Sequence, residues 1–354
     1  MPRAVVLSGH DLGAWAAKFA AGDAPAALPY EVDSLRAAGY DVRIHGISGG
    51  RLVTKLRHVA EHRLGYSLQV PLRAAPSAFR ADVVLALLEG EGVLPGLMKR
   101  RGLPPYAGRP LVVWSCWLAD DIQRADATRR AELKRQIQAV DLVTHLSRHE
   151  TSIFTDLGIP EERLFPVTYG VSHRFYRPTG ALRDIQVLAV GQDRGRDYAT
   201  LFDAVRGTDL SLDVVCRPAN LDGLDVPANV RVHAPVSHRE YRALLTRAQV
   251  MAVPTRVMSY PTGSSVALEA ASSGCCVVVT DTPAMADYFV QDVSGALVPP
   301  GDHLAWRETL IALAADPERR ERLGTGARLS VETSFNAEHM WLELADVMRD
   351  RGLV

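Results

Sequence analysis

The chain has few cysteines and no regular spacing among them. Cys116, Cys216, Cys275 and Cys276 are the four cysteines in 354 residues. They form neither a metal-binding quartet nor a disulfide framework, so the sequence predicts reduced thiols and no metal site. Cys275 and Cys276 open the apolar run CCVVVT, where we expect both thiols to be buried.

An excess of charge of one sign is absent as well. Lysine and arginine number 40 against 41 acids, and no dense basic run with interleaved aromatic residues occurs. This balance argues against binding of nucleic acid, which needs a clustered basic surface. A basic amphipathic helix for docking on a membrane does not stand out near the N-terminus either.

Long apolar runs are also missing. No segment approaches the roughly 20 apolar residues that cross a bilayer. The first apolar stretch, AVVL at 4–7, is too short for the core of a signal peptide. We therefore expect a cytoplasmic protein without a transmembrane segment.

The length and the hydrophobic pattern predict two α/β domains. A chain of 354 residues exceeds the size at which one core usually stops growing. Short β-branched runs alternate with helical patterns, which is typical of βαβ units and a parallel sheet. We predict two Rossmann-like doubly wound domains facing a central cleft, at 1–178 and 179–330, with a C-terminal helix at 331–354 that packs back on them.

The pattern also places the individual elements. A helix is predicted at 30–38, and three more at 304–314, 318–331 and 337–348. The predicted strands of the first domain are at 4–7, 41–45, 83–87, 111–114, 142–144 and 164–167. Those of the second domain are at 185–190, 212–216, 230–232, 250–253, 277–280 and 296–298.

The loop PTGSS at 261–265 and the helix after it have the features of a phosphate site. The first N–H groups of a helix have no intrahelical partner, and the helix dipole favours an anion there. Gly263 lets the backbone approach a ligand closely, and Ser264 or Ser265 can cap the helix or donate to an oxygen. Glu269, further along the helix, can accept two hydrogen bonds from a ribose diol. The alternative for Glu269 is a solvent-facing helix residue.

The same region resembles the donor-site block of family 4 glycosyltransferases of the GT-B type. The residues that support the resemblance are LEA at 268–270, a glycine at 274, TDTP at 280–283 and GALVPPGD at 295–302. The resemblance implies a GT-B fold with an N-terminal acceptor domain and a C-terminal donor domain. It further implies a metal-independent, retaining hexosyltransferase that moves a sugar from a UDP- or GDP-sugar to a hydroxyl acceptor. In that family the helix glutamate holds the donor ribose, a role that falls on Glu269.

Two further features bear on the donor. The family usually has a second glutamate eight positions earlier, in contact with the transferred sugar, and this chain has Pro261 there. Subgroups with a loop of small residues at this place exist and resemble this chain, so the departure does not exclude transfer. The family also places a glycine, an arginine and a lysine near the donor diphosphate. Gly191 and Arg196 occupy the corresponding segment, with Arg194 as the alternative to Arg196 and a solvated arginine as the structural alternative for each.

The candidate residues for acceptor binding are assigned from their positions after predicted strands. His10 follows the first predicted strand, and Glu89 follows the strand after which the family often keeps a histidine. Both places lie at carboxyl ends of strands, where open α/β sheets bind ligands. His10 and Glu89 are therefore candidates for steering the acceptor hydroxyl, with ordinary loop residues as the alternative. Trp114 and Trp117 offer an acceptor surface or belong to the core.

Two other functions fit parts of the pattern. A nucleotide-sugar epimerase would need an acid/base pair beside the sugar, and no such pair is evident. A non-catalytic subunit that binds a nucleotide sugar fits the presence of Pro261. We favour the transferase, with no cofactor, a nucleotide sugar as donor and a small molecule, such as a natural-product or glycan precursor, as acceptor.

Overall fold

The computed structural model describes residues 1–49 and 51–354, and all of their side chains except those of 51–56 and 58. Two six-stranded sheets are present in this part of the chain, and every strand pairing in them is parallel. The first sheet has the order β2-β1-β3-β4-β5-β6 and consists of β1 (Arg3–Asp11), β2 (Asp41–Ile47), β3 (Val83–Leu87), β4 (Leu111–Trp114), β5 (Leu142–His145) and β6 (Leu164–Pro166). The second has the order β12-β11-β10-β7-β8-β9 and consists of β7 (Ile185–Val190), β8 (Leu212–Val215), β9 (Val230–His233), β10 (Ala248–Val253), β11 (Cys276–Thr280) and β12 (Ala296–Val298).

Helices connect the strands in both sheets. In the first half of the chain they are α1 (Leu12–Ala20), α2 (Arg51–Leu64), α3 (Gln69–Ala78), α4 (Glu89–Arg100), α5 (Leu118–Arg124), α6 (Ala127–Ile137) and α7 (Thr151–Asp156). In the second half they are α8 (Tyr198–Val205), α9 (His238–Arg247), α10 (Ser264–Ser272), α11 (His303–Ala315), α12 (Pro317–Thr333) and α13 (Ala337–Asp350). The predicted α/β class and the pattern of strands and helices are confirmed.

The contacts divide the chain into two compact units. The first comprises Met1–Ala21, Ala26–Val167 and Met340–Val354, and the second comprises Gly22–Pro25 and Thr168–His339. In each unit the central strands are apolar along their whole length, as in β3 (VVLAL) and β11 (CVVVT), because helices cover both faces of a parallel sheet.

The strand register of the first unit brings three loops to one edge of its sheet. Ser8 of β1 pairs with Leu87 of β3, and Leu87 pairs with Trp114 of β4. The carboxyl ends of these strands therefore lie side by side. His10 is near the end of β1 and Glu89 begins α4 just after β3, so the first sheet places both candidate acceptor residues at its carboxyl edge.

The second unit has the same construction. Leu188 of β7 pairs with Met251 of β10, so the loops that follow these two strands are neighbours at the carboxyl edge. One loop contains Gly191 and Arg196, and the other contains Gly263. The predicted pieces of the phosphate site thus come from adjacent strands of one sheet.

One predicted helix differs from the structure. Residues 30–38 were expected to be α-helical, but the segment is a 3-10 helix, Pro29–Arg36, in which Tyr30 and Glu31 have left-handed φ angles of 57° and 55°. Tertiary contacts explain the difference. The indole Nε1 of Trp341 in α13 donates to the Tyr30 carbonyl at 2.7 Å, and the Tyr30 ring packs edge-on against Trp114 with centroids 4.9 Å apart.

The structure also shows the state of the cysteines and the length of the apolar helices. All four cysteines are free thiols, and Cys216, Cys275 and Cys276 are buried as the apolar runs suggested for the last two. None of the helices within 1–49 and 51–354 is both long and apolar enough to cross a bilayer.

Candidate functional site

The Asp193 carboxylate joins the two loops at the carboxyl edge of the second sheet. Its Oδ1 accepts hydrogen bonds from the Gly195 N–H at 2.7 Å, the Tyr260 hydroxyl at 2.6 Å and the Thr262 hydroxyl at 2.7 Å. The first donor lies in the loop after β7, and the other two lie in the loop before α10. One acidic oxygen therefore fixes the separation of the two loops.

Backbone hydrogen bonds add to this connection. The Asp197 N–H donates to the Pro254 carbonyl at 3.1 Å, and the Arg256 N–H donates to the Gly195 carbonyl at 2.8 Å. Gly195 allows the close approach, because a Cβ atom there would lie 2.8 Å from the Met258 side chain and 2.9 Å from the Thr262 hydroxyl. The loops are thus held in register by main-chain contacts that require a glycine.

The side chain of Arg196 lies in the space between these loops. A Cβ atom on Gly191 would collide with its Nε, and a Cβ atom on Gly263 would lie 2.8 Å from its Nη1. The residue is 7% exposed, yet its Nε and Nη1 have no hydrogen-bond partner. Leaving buried donors unpaired is costly, and an anion bound beside them would remove that cost.

The beginning of α10 lies beside the same guanidinium. Gly263 is the N-cap residue with a left-handed φ of 85°, and no side chain caps the helix. The Ser264 N–H donates to the Pro261 carbonyl at 3.0 Å. The N–H groups that follow it in the first turn and the positive end of the helix dipole add to the charge of Arg196. Ser264 is buried and Ser265 is partly buried in this turn. Gly191, Arg196, Gly263 and the two serines thus lie together at the carboxyl edge of the second sheet.

Arg194 lies differently. Its side chain is exposed, and its guanidinium stands 6.0 Å from the centroid of the Tyr260 ring. The structure thus places Arg196 rather than Arg194 between the two glycines.

Glu269 lies one turn further along α10, among aromatic neighbours. It is partly buried, and its pKa is raised from 4.5 to about 7. Burial causes this increase, and the nearby hydroxyl groups of Tyr241 and Tyr176 offset part of it. Near neutral pH the side chain therefore exchanges between a hydroxyl donor and a charged acceptor.

In the first unit, His10 packs within an aromatic group. Its ring meets Trp15 and Tyr30 edge-on with centroid distances of 5.3 and 5.4 Å, and its Nδ1 lies 3.1 Å from the Ser8 hydroxyl. Burial lowers its pKa, which favours the neutral imidazole. Trp114 is buried in the same group, whereas Trp117 remains about one-third exposed.

Glu89 holds the loop after β4. Its Oε2 accepts from the Cys116 N–H at 3.2 Å and its Oε1 from the Trp117 N–H at 2.9 Å. Burial raises the pKa of this carboxyl. Both oxygens therefore already have backbone donors.

Glu91, two residues later, has a different environment. It is 9% exposed, and its Oε2 has no hydrogen-bond partner. Burial raises its pKa from 4.5 to about 7, an effect that a hydrogen bond with Ser67 partly offsets. The preceding Leu88 has a left-handed φ of 77°, a strained conformation for a leucine.

Reasoning from the sequence missed three of these residues. Asp193 and Tyr260 form a hydrogen bond although they are 67 positions apart in the chain, and no local motif marks such a pair. Glu91 is adjacent to the candidate Glu89, but the sequence has no signal that tells a carboxylate with backbone donors from one without.

Comparison with known proteins finds one family model that matches part of the chain. The family model described as "Glycosyl transferases group 1" matches residues 219–330, which include α10 with Gly263 and Glu269. Gly191 and Arg196 lie before this segment. The curated D-inositol 3-phosphate glycosyltransferase of Xylanimonas cellulosilytica is 37% identical over 121 residues. The match spans 34% of this chain and 27% of that relative, so it concerns about a quarter of its length.

Solved structures resemble the whole chain. The sucrose-phosphate synthase of Thermosynechococcus elongatus has a TM-score of 0.73 at 18% identity, with 99% of this chain and 98% of that chain covered. HepE of Anabaena in complex with UDP-glucose has a TM-score of 0.72 at 13% identity, with 99% and 100% covered. These likenesses confirm the GT-B fold.

Asp193 gives a first prediction. Replacing it with alanine (Asp193→Ala) leaves the Gly195, Tyr260 and Thr262 donors without their common acceptor. We expect the free energy of unfolding in urea to fall by about 1–3 kcal/mol. The control Asp209→Ala removes an exposed carboxylate of the same unit and should change it by less than about 0.5 kcal/mol. Equal losses in both variants would show that the Asp193 contacts contribute nothing specific.

Glu269 gives a second prediction. Between its ordinary pKa of 4.5 and its folded pKa of about 7, the unfolded chain releases the proton while the folded chain keeps it. The free energy of unfolding therefore falls as pH rises through this window and levels off above it. Glu269→Gln has no such loss, so its stability relative to the wild type should increase from about pH 5 to about pH 8 in urea titrations. The exposed Glu318→Gln serves as control, and a pH-independent difference for Glu269→Gln would contradict the assignment.

Proposed function

We propose that the chain is a glycosyltransferase that moves a hexosyl group from a UDP- or GDP-sugar to a hydroxyl acceptor, with retention of configuration and without a metal ion. The observation that supports it most strongly is the buried Arg196 guanidinium, whose Nε and Nη1 lack partners beside the uncapped start of α10. A diphosphate supplies the oxygens that these donors need. In this proposal the second unit binds the donor and the first unit binds the acceptor.

The residues around Arg196 suit a leaving diphosphate. When the bond between the anomeric carbon and the phosphate oxygen breaks, negative charge grows on the diphosphate. Arg196 and the first N–H groups of α10 stabilise that charge without reorganising, because the glycines and Asp193 fix their positions. This positive charge takes the place that a metal ion would otherwise have.

The acceptor reacts on the same face. Its oxygen forms the new bond to the anomeric carbon from the side on which the diphosphate departs, and its proton passes to a departing phosphate oxygen. Ionised Glu269 accepts hydrogen bonds from the ribose diol of the donor. Pro261 occupies the place of the usual sugar-contacting glutamate, so the backbone around 261–265 takes over contacts to the sugar.

The comparisons support the proposal in general terms. The group 1 family match includes α10, and HepE was solved with UDP-glucose. The relative from Xylanimonas cellulosilytica is named for transfer to D-inositol 3-phosphate, so phosphorylated and free polyols belong in the first acceptor panel.

Nucleotide binding tests the proposal. In calorimetric titrations with UDP and GDP, Arg196→Ala should weaken the better ligand by about tenfold or more, because a hydrogen bond to a charged group contributes about 1.5–3 kcal/mol. Arg196→Lys should recover part of the loss, since it restores the charge without the planar fork. The control Arg322→Ala removes an exposed arginine of the same unit and should stay within about twofold.

Three outcomes separate the alternatives. Unchanged affinity in Arg196→Ala would refute the donor site. Nucleotide binding without transfer to any acceptor would favour a non-catalytic subunit. Conversion of the donor sugar in the absence of acceptor would favour an epimerase.

A further inference from the structure

Glu91 in the first turn of α4 has a buried carboxylate oxygen that the fold leaves unpaired. Only 9% of the residue is exposed to solvent, and its Oε2 makes no hydrogen bond. Such an oxygen loses its hydration without gaining a protein donor. The neighbouring Glu89 is the opposite case, because backbone N–H groups of Cys116 and Trp117 reach both of its oxygens.

Gly9 lies beside the other oxygen of this carboxylate. It is exposed near the carboxyl end of β1, and a Cβ atom on it would stand 3.1 Å from the Glu91 Oε1. That distance is shorter than an ordinary van der Waals contact. A side chain at position 9 would therefore press against the carboxylate that carries the unpaired Oε2.

The backbone around Glu91 is fixed in a costly conformation. Leu88 has a φ of 77°, and its N–H donates to the Trp114 carbonyl at 2.9 Å. Strain of this kind costs on the order of 1–3 kcal/mol and persists only where the surroundings determine it. Here the contacts of Glu89 with the loop after β4 supply the constraint. The result is that the first turn of α4, with Glu91 in it, has a defined position at the carboxyl edge of the sheet.

We propose, on the basis of the transferase function above, that Glu91 binds a hydroxyl group of the acceptor and that the part of the acceptor in contact with it is an uncharged polyol or sugar. In its ionised form the unpaired oxygen needs a donor, which a hydroxyl provides and a phosphate oxygen does not. No hydrogen bond joins the nearby Arg57 to this oxygen; the Arg57 Nε lies 3.6 Å from Glu61 and its Nη1 donates to Gln69 at 3.4 Å. Glu91 positions the acceptor through this hydroxyl.

The test uses the full chain with UDP-glucose or GDP-mannose as donor and glucose, fructose, glycerol and myo-inositol as acceptors. Glu91→Gln keeps the shape of the side chain and removes its charge. We expect the KM for the best acceptor to rise by about tenfold or more while the Kd for UDP or GDP stays within about twofold. The melting temperature should not fall, since the variant loses an unpaired buried carboxylate. Glu161→Gln, an exposed change in the same unit, is the control.

Gly9→Ala provides an independent variant that retains Glu91. Its added methyl group should cover the carboxylate and raise the acceptor KM as well. Gly90→Ala is its matched control, because a Cβ atom on Gly90 meets nothing within 4 Å. Raised acceptor KM in Glu91→Gln and Gly9→Ala, with normal nucleotide affinity, supports the inference.

Failure of the proposed function and failure of the role of Glu91 give different results. If the wild type binds neither UDP nor GDP, the proposed function fails and the inference fails with it. If it binds nucleotide but uses none of the four acceptors, or uses one with a KM that Glu91→Gln leaves unchanged, the donor site stands and the role of Glu91 is refuted.

Discussion

The loops of the second unit surround one buried guanidinium, that of Arg196, whose Nε and Nη1 have no hydrogen-bond partner. Arg196 is held between two glycines with part of its guanidinium unsatisfied, and a folded protein retains such an arrangement only if other contacts determine it. Those contacts are the three hydrogen bonds to Asp193, which fix the loops on either side. These loop contacts offset the cost of leaving two buried donors unpaired. The geometry of the parallel sheet, with β7 next to β10, is what makes the arrangement possible.

The carboxyl edge of the first sheet also contains a buried polar group without a hydrogen-bond partner. Two carboxylates lie two residues apart in α4, yet Glu89 has backbone donors for both oxygens whereas Glu91 has an oxygen with none. The first is explained by the fold, since it holds the loop after β4. The second has no structural explanation, and the exposed Gly9 lies beside its Oε1.

Much of the fold could be predicted from the sequence, because buried parallel strands are apolar throughout and end in recognisable turns. β3, β4, β7 and β12 have the predicted bounds, and the other predicted strands overlap the observed ones. The segment at 30–38 could not be predicted, since Trp341, more than 300 residues away, sets its backbone. In the site, Gly191, Arg196 and Gly263 come together as their positions after strands suggested. Asp193 and Glu91 could not be found, because their importance depends on which donors surround them in space.

Binding of a diphosphate at Arg196 can be tested by the affinity of the wild type for uridine, UMP and UDP, and for the guanosine series, measured by calorimetry at low salt. We expect the affinity to increase with each phosphate and the diphosphate to bind about tenfold or more tightly than the nucleoside. Equal affinity for nucleoside and nucleoside diphosphate in both series would contradict it.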